Sequence, residues 1–390
     1  MHWDAQRCRI YVASSVRRGA SWFWARTSTG GVVFGTLLRE VVEAPSVVAG
    51  LDVAQLLGQA EAIPDLFATG YLGVQRIPRG FTLTVDPTRL VPLPAARPWF
   101  RLEPQAVRHY PDATSEANAV RSALDEAVAV GLAGSGEIGC FMSGGLDSTT
   151  VAVLAARHID PARVRAWCHI PLAGTPDVTP TMQASDQPWA SAVAAAEPGI
   201  DLELVTTPLD PTVTEVLQRF ISATATAPLV PSNEAWLMDL YAHARDSGLQ
   251  YLLNGVGGNL SFSMGLRHPS ALLVNGEYLA AWRWHTDRGA RLAGSIKSLT
   301  SAWTTRREER NWIDAFLTPE AAELVQPQRE ESAMNPAAPF RLRRRDWLHR
   351  IATVPDGHWG ALIPDVWKDD PYTDPEFLRG GTARPRLRMG

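Results

Sequence analysis

The chain has 390 residues, 45% of them hydrophobic and 20% charged, with a formal net charge of −4. That length holds two or three domains with real cores, and the composition excludes extended disorder. The weak acidic balance gives no general case for nucleic acid or a membrane surface as partner.

No run reaches the roughly 18 uninterrupted apolar residues that a membrane helix needs, and Met1-His2-Trp3-Asp4 does not open a signal peptide. The cytoplasm is therefore the expected compartment. Cys8, Cys140 and Cys168 are widely separated and lack metal spacing, which reads as reduced structural cysteines. Lys297 and Lys368 are the two lysines, so lysine-dependent chemistry has few candidates.

In chain order, the first hundred residues read as β-rich, with strands over 9–14, 21–26, 31–37 and 81–85 and a helix over 53–61. Prolines between Pro92 and Pro98 break any regular element, which sets an expected boundary between a first domain (1–98) and a second (105–390). Apolar residues at Ala117, Val120, Leu124, Ala127 and Val128 recur at helical spacing and predict a helix over 115–132.

An apolar run over 138–142 then enters Ser143-Gly144-Gly145-Leu146-Asp147-Ser148 and leaves through a second apolar run over 151–156. This reads as a loop that grips pyrophosphate. Paired glycines permit a tight turn that brings N–H groups close to an anion, and the N-terminus of the next helix adds partial positive charge. The two serines can donate hydroxyl hydrogen bonds. Asp147 beside a polyphosphate makes physical sense with a cation between them, which implies Mg²⁺. A bare strand-to-helix turn needs none of these polar residues. The absence of a Walker lysine points to cleavage of ATP between the α- and β-phosphates, leaving AMP on a substrate.

Further on, strands over 164–170, 202–206 and 250–254 alternate with helices over 183–196, 215–224 and 234–245. Such alternation predicts a parallel sheet with helices on both faces, with ligands bound at the carboxyl ends of the strands. A second glycine turn, Gly255-Val256-Gly257-Gly258-Asn259-Leu260, follows a strand and is expected to open on the same edge. Beyond residue 266 the pattern weakens to helical pieces over 275–284 and 290–303. The basic cluster Arg341, Arg343, Arg344 and Arg345 reads as a solvated helix face or a set of ion pairs.

With these features in place, the chain resembles the asparagine synthetase family from about Tyr11 to Phe377, most specifically over 116–263. The segment from Gly73 to Gly80 is similar to the close of that family's N-terminal glutaminase (Ntn) domain. Asn233-Glu234-Ala235-Trp236 ahead of the strand and Gly257-Gly258-Asn259-Leu260 after it bring the chain closer to the lasso-peptide cyclases. The resemblance implies an α/β fold of the adenine nucleotide alpha-hydrolase-like (PP-loop) type behind a partial Ntn-type domain. It implies ATP-dependent adenylation of a small-molecule or peptide carboxylate, followed by attack of an amine.

Its implied nucleotide contacts are Met142, Ser143, Gly144, Gly145, Leu146, Asp147, Ser148, Ile170, Asn254, Gly255, Gly257 and Gly258, with Mg²⁺ at Asp147 and Asn259. Asp147, Asp370 and Asp374 are the implied catalytic acids, the last two within Asp370-Pro371-Tyr372-Thr373-Asp374-Pro375, which resembles an acidic motif near the cyclase substrate pocket or is a proline-rich surface turn. A cyclase would also take a precursor peptide and a leader protease as partners.

Four departures accompany the resemblance. Residue 2 is His and Cys8 is internal, where the family's glutaminase exposes an N-terminal cysteine, so no functional glutaminase site is expected. Val256 stands where asparagine synthetase has an acid, and Asn259 where it has a metal-binding Asp. The family's lysine downstream of the acidic motif has no counterpart, since Lys368 precedes the motif. Against the family pattern both ends read as shortened. An amide ligase and a catalytically impaired nucleotide- or peptide-binding remnant both stay open. A sulfur- or tRNA-modifying enzyme with the same kind of loop calls for reactive cysteines or an RNA-binding surface, neither of which the sequence shows.

Overall fold

The computed structural model describes residues 1–15, 21–60, 67–87, 95–100, 110–132, 137–159, 164–177, 183–207, 212–226, 228, 231–249, 251–255, 258, 279, 317–324, 326 and 367–369. The expected elements over 275–284 and 290–303 and the basic cluster from Arg341 to Arg345 lie outside these residues, apart from Leu279.

The first part is built from short antiparallel strands: β1 (His2–Asp4), β2 (Arg9–Ala13), β3 (Trp22–Arg26), β4 (Val32–Gly35), then helix α1 (Leu38–Val42), β5 (Gly50–Leu51), helix α2 (Val53–Ala60), β6 (Tyr71–Leu72), β7 (Val74–Ile77), β8 (Phe81–Val85) and β9 (Arg97–Pro98). They pair in the orders β1-β2-β8-β9, β4-β3-β7 and β5-β6. Side chains alternate across a strand. Val12, Leu83 and Val85 of the first sheet meet Trp24 and Ile77 of the second in one core. On the far side of β3, Phe23 and Ala25 are covered by Leu38 and Val41 of α1. The strand expected over 31–37 ends at Gly35, because the chain turns at once into α1.

The second part alternates strand and helix: α3 (Ala113–Leu132), β10 (Ile138–Phe141), α4 (Leu146–His158), β11 (Val164–Ile170), α5 (Gln187–Ala196), β12 (Ile200–Thr206), α6 (Val213–Thr224), α7 (Pro231–Asp246), β13 (Tyr251–Leu253) and β14 (Trp367–Asp369). The five strands run parallel in the order β12-β11-β10-β13-β14. Cys140, Ala166, Cys168, Tyr251 and Leu253 face a core shared with α3 and α4, whereas Trp167 and Leu252 face α7. Burial on both faces explains the continuous apolar run over 138–142 and the buried Ala166, Trp167 and Cys168 at the centre of β11.

Chain order through the sheet runs outward from β10 to β12 and then returns to the other side of β10 with β13. The strand order therefore reverses between β10 and β13, and the carboxyl ends of those two strands open a crevice. Helix α6 begins two residues before its expected start, because Thr212 and Glu215 form a reciprocal capping box. Its far end meets the first part of the chain. Arg39 Nη1 donates to the Ser222 carbonyl at 2.6 Å, and Ala225 joins the core of Phe23, Leu38 and Val41.

Candidate functional site

Gly145 is the N-cap of α4 and brings no side-chain cap, so first-turn N–H groups stay directed out of the helix. The preceding turn is tied by its serines. Ser148 Oγ accepts the Ser143 N–H at 3.1 Å, Ser143 Oγ accepts the Gly145 N–H at 3.3 Å, and the two hydroxyls are 3.1 Å apart. Both serines thus shape the loop as well as line it.

Gly144 has φ of +75°, and a β-carbon there would stand 2.5 Å from Trp189 Cβ and 2.6 Å from the Ala190 nitrogen at the start of α5. Glycine is required on both counts. Two helix N-termini, of α4 and α5, consequently meet at this loop.

The second glycine turn leaves β13 on the same edge. A β-carbon on Gly255 would lie 2.7 Å from the Ser148 nitrogen, and one on Gly258 would lie 2.7 Å from Asp147 Oδ1. The two turns therefore touch across the β10–β13 crevice, with Asp147 between them. Asp147 occupies the first turn of α4, where a carboxylate favours the helix dipole. A single carboxylate at such a spot suits Mg²⁺, which keeps several waters and binds through one or two carboxylates plus phosphate oxygens. No group of three or more metal-ligating side chains occurs among the described residues.

Met142 is fully buried in the core of α3 and α4 and donates its N–H to the Trp167 carbonyl at 3.0 Å. What it can offer a ligand is main chain, not side chain. Ile170 ends β11 half-buried, and Asn254 and Gly255 are half-buried after β13. Leu146 is 62% exposed, so nothing in the core demands an apolar residue there. Val256, Gly257, Asn259, Asp370 and Asp374 lie outside the described residues. Strand β14 ends at Asp369, paired with Leu253, at the same carboxyl edge.

Sequence reading missed a polar group beside the loop. His169, at the end of β11, stacks on Trp236 of α7 with ring centroids 5.3 Å apart, and its Nε2 lies 3.2 Å from Thr207 Oγ1. Burial lowers the His169 pKa, against the opposing pull of Asp239 and Asp186. Burial raises that of Asp186, the N-cap residue of α5, which makes no capping bond and interacts with His169 instead. On α7, burial pushes Glu234 up to about 7, and Tyr241 is raised first by burial and then by Glu234. The available signal was a histidine and an acid interrupting apolar stretches at strand and helix ends.

A parallel α/β sheet whose strand order reverses beside a glycine–serine turn and a helix N-terminus defines the class of doubly wound proteins that bind ligands at a topological switch point. Within that class the particular family is explicit: the asparagine synthase family model matches residues 119–362, and the chain belongs to that family, one of ATP-dependent amide ligases. No curated protein matches the chain. A solved structure, an NH3-dependent NAD synthetase from Campylobacter jejuni subsp. jejuni NCTC 11168 in complex with the nitrate ion, is 16% identical with a TM-score of 0.24. That distant likeness covers 57% of this chain and 96% of that one. Among the described residues, no helix is long and apolar enough to cross a membrane.

Proposed function

We propose that this chain uses ATP to adenylate a carboxylate and lets an amine displace AMP, forming an amide. The observation that supports this most is the contact of the two glycine turns across the crevice, Gly255 on Ser148 and Gly258 on Asp147. Backbone N–H groups over 144–148 and the positive end of α4 would receive the departing pyrophosphate. Asp147, with Asn259, would hold Mg²⁺, which supplies charge neutralisation between the phosphates and the acid. Main chain at Met142 and Asn254, with Gly257 and Ile170, would seat the nucleotide, while Asp370 and Asp374 would face the carboxylate substrate.

In the finer version the substrate is a precursor peptide, released by a leader protease and closed by this chain into a macrolactam. The β-rich part up to residue 98 would then be a Ntn-type domain without glutaminase activity, and the enzyme would work in the cytoplasm. A second reading, nucleotide or peptide binding without turnover, draws on Val256 and Asn259.

ATP–pyrophosphate exchange tests the main reading. Carboxylate-dependent exchange is expected from the unmodified chain and is expected to vanish in Asp147→Ala. ATP binding without any exchange would establish the second reading instead.

A further inference from the structure

Glu234 is 3% exposed, and its Oε2 has no hydrogen-bond partner among the described residues. A buried carboxyl oxygen left unpaired destabilises the fold, because it gives up its hydrogen bonds to water and gains none in return. A position that needed only volume would hold leucine or methionine.

The fold puts this group at the ligand edge. Helix α7 leads into β13, which is parallel to its neighbours, so α7 runs against the strands and its first turn lies at their carboxyl ends. Two ring contacts fix the placement: Trp236 stacks on His169 at the end of β11, and Tyr241 meets the Phe141 ring edge-on at 5.0 Å. Phe141 is the last residue of β10, two before Ser143. Helical Cα–Cβ bonds tilt toward the helix N-terminus. Glu234 and Tyr241, about two turns apart on one face, therefore both reach toward that edge, and they interact electrostatically.

We propose that Glu234 Oε2 accepts the proton that the attacking amine loses as the amide forms. The inference rests on the amide-ligase reading above. In the step, the lone pair of a neutral amine attacks the acyl carbon, the C–O bond to the AMP phosphate breaks, and AMP leaves with that electron pair. The nitrogen's proton passes to the Glu234 carboxylate and from there to water, so no further reactant is needed. Val256 in the second glycine turn has no atom that can take it. Among the described acids near α7 at this edge, Asp147 lies between the turns, and Asp186 and Asp239 act on His169; Asp369 ends β14, on the far side of β13 from β10. Asp239 also lies about 140° around α7 from Glu234. On its own helix Glu234 acts on Tyr241; of the strands packed against α7, β10 presents Phe141, β13 Leu252, β11 Trp167 and His169, the latter stacked on Trp236, and β12 Val205 and Glu203, whose Oε1 lies 3.3 Å from His243 Nδ1 toward the far end of the helix.

The test uses the full chain and its Glu234→Gln and Glu234→Asp variants, with ATP, L-aspartate or L-glutamate, and either ammonia or hydroxylamine as nucleophile. Hydroxylamine is largely unprotonated near neutral pH and calls for less base assistance. In Glu234→Gln, pyrophosphate exchange should persist, ammonia-dependent amide formation should fall by about 10²-fold, and hydroxamate formation should be retained. Glu234→Asp should recover part of the ammonia reaction. If both nucleophiles lose activity together, Glu234 is only structural; if neither does, it is uninvolved; either result overturns the inference and leaves the ligase reading standing. Absence of exchange in the unmodified chain removes both.

Discussion

Gly258 lies against the Asp147 carboxyl so closely that a β-carbon on the glycine would stand 2.7 Å from Oδ1. The glycine of one turn thus fixes where the acid of the other can point. Gly258→Ala is expected to push the carboxylate aside and reduce Asp147-dependent exchange. The obstacle includes Asp147 Cβ at 2.6 Å as well as the carboxyl group, so the side chain cannot simply swing clear and a stability cost of about 1–3 kcal/mol, typical of overpacking, is expected. Gly255→Ala meets main chain alone, the Ser148 nitrogen at 2.7 Å and the Asp147 carbonyl carbon at 2.8 Å, so α4 itself must shift, and should cost more. Urea denaturation of the two variants side by side measures the difference.

Gly144→Ala combines two penalties. Its φ of +75° costs an L-residue about 1–2 kcal/mol, and its β-carbon would strike Trp189 Cβ and the Ala190 nitrogen. Loss of more than 2 kcal/mol, about the sum of strain and overpacking, is expected in denaturant titration, with exchange abolished. A loss under about 0.5 kcal/mol, typical of surface substitutions, would show that α5 does not pack on the loop as described.

Much of this architecture was legible in the sequence because it follows from pattern. The apolar run over 138–142 and the apolar centre of β11, Ala166 to Cys168, stand out since both faces of those strands are covered, and Ser143 to Ser148 carries more polar detail than a turn requires. Strands of two or three residues, such as Gly50–Leu51 and Trp367–Asp369, carry too few alternations to register. The group around His169 was hidden for a different reason. His169, Asp186, Trp236 and Asp239 come from three separate elements, and only the order of strands in the sheet brings them together.

Buried Glu234 makes a statement about stability as well as chemistry. Its pKa stands at about 7 in the folded chain against 4.5 for an ordinary glutamate. Between those values the folded state keeps a proton that the unfolded state has released, so stability falls as pH rises through that window and levels off above it. The decline amounts to roughly 3 kcal/mol. Glu234→Gln should remove this component, so that wild type loses stability relative to the variant from about pH 5 to about pH 8. Equal slopes in paired denaturation curves would contradict the burial of the charge.

His169 titrates in the opposite sense. Burial lowers its pKa below 6.5, so the folded chain prefers the neutral ring. As pH falls from 6.5 toward that lowered value, the unfolded state takes up a proton first and stability is lost. Asp186→Asn and Asp239→Asn each remove a carboxylate that favours the charged ring, so each should lower the His169 pKa further. Imidazole NMR resonances across the titration read this directly; an upward move in either variant would show that the carboxylate does not face the ring.

Cysteine reactivity separates the two parts of the chain. Cys140 and Cys168 are both 1% exposed, and burial pushes their thiols up to about 12 and about 11, with Asp186 adding to the second. The thiolate is the nucleophile, so neither should react with iodoacetamide near neutral pH while the sheet is folded. Cys8 is exposed and should be modified at once. Mass spectrometry of intact protein is therefore expected to show a single adduct, on Cys8, with the other two appearing only as denaturant opens the core. Because Cys140 and Cys168 sit on β10 and β11, the strands that lead to the loop from Ser143 to Ser148 and to His169, their labelling also reports whether a site variant has kept its fold. A Gly144→Ala chain that loses exchange yet still protects both thiols has lost the loop alone; one that exposes them has lost the sheet beneath it.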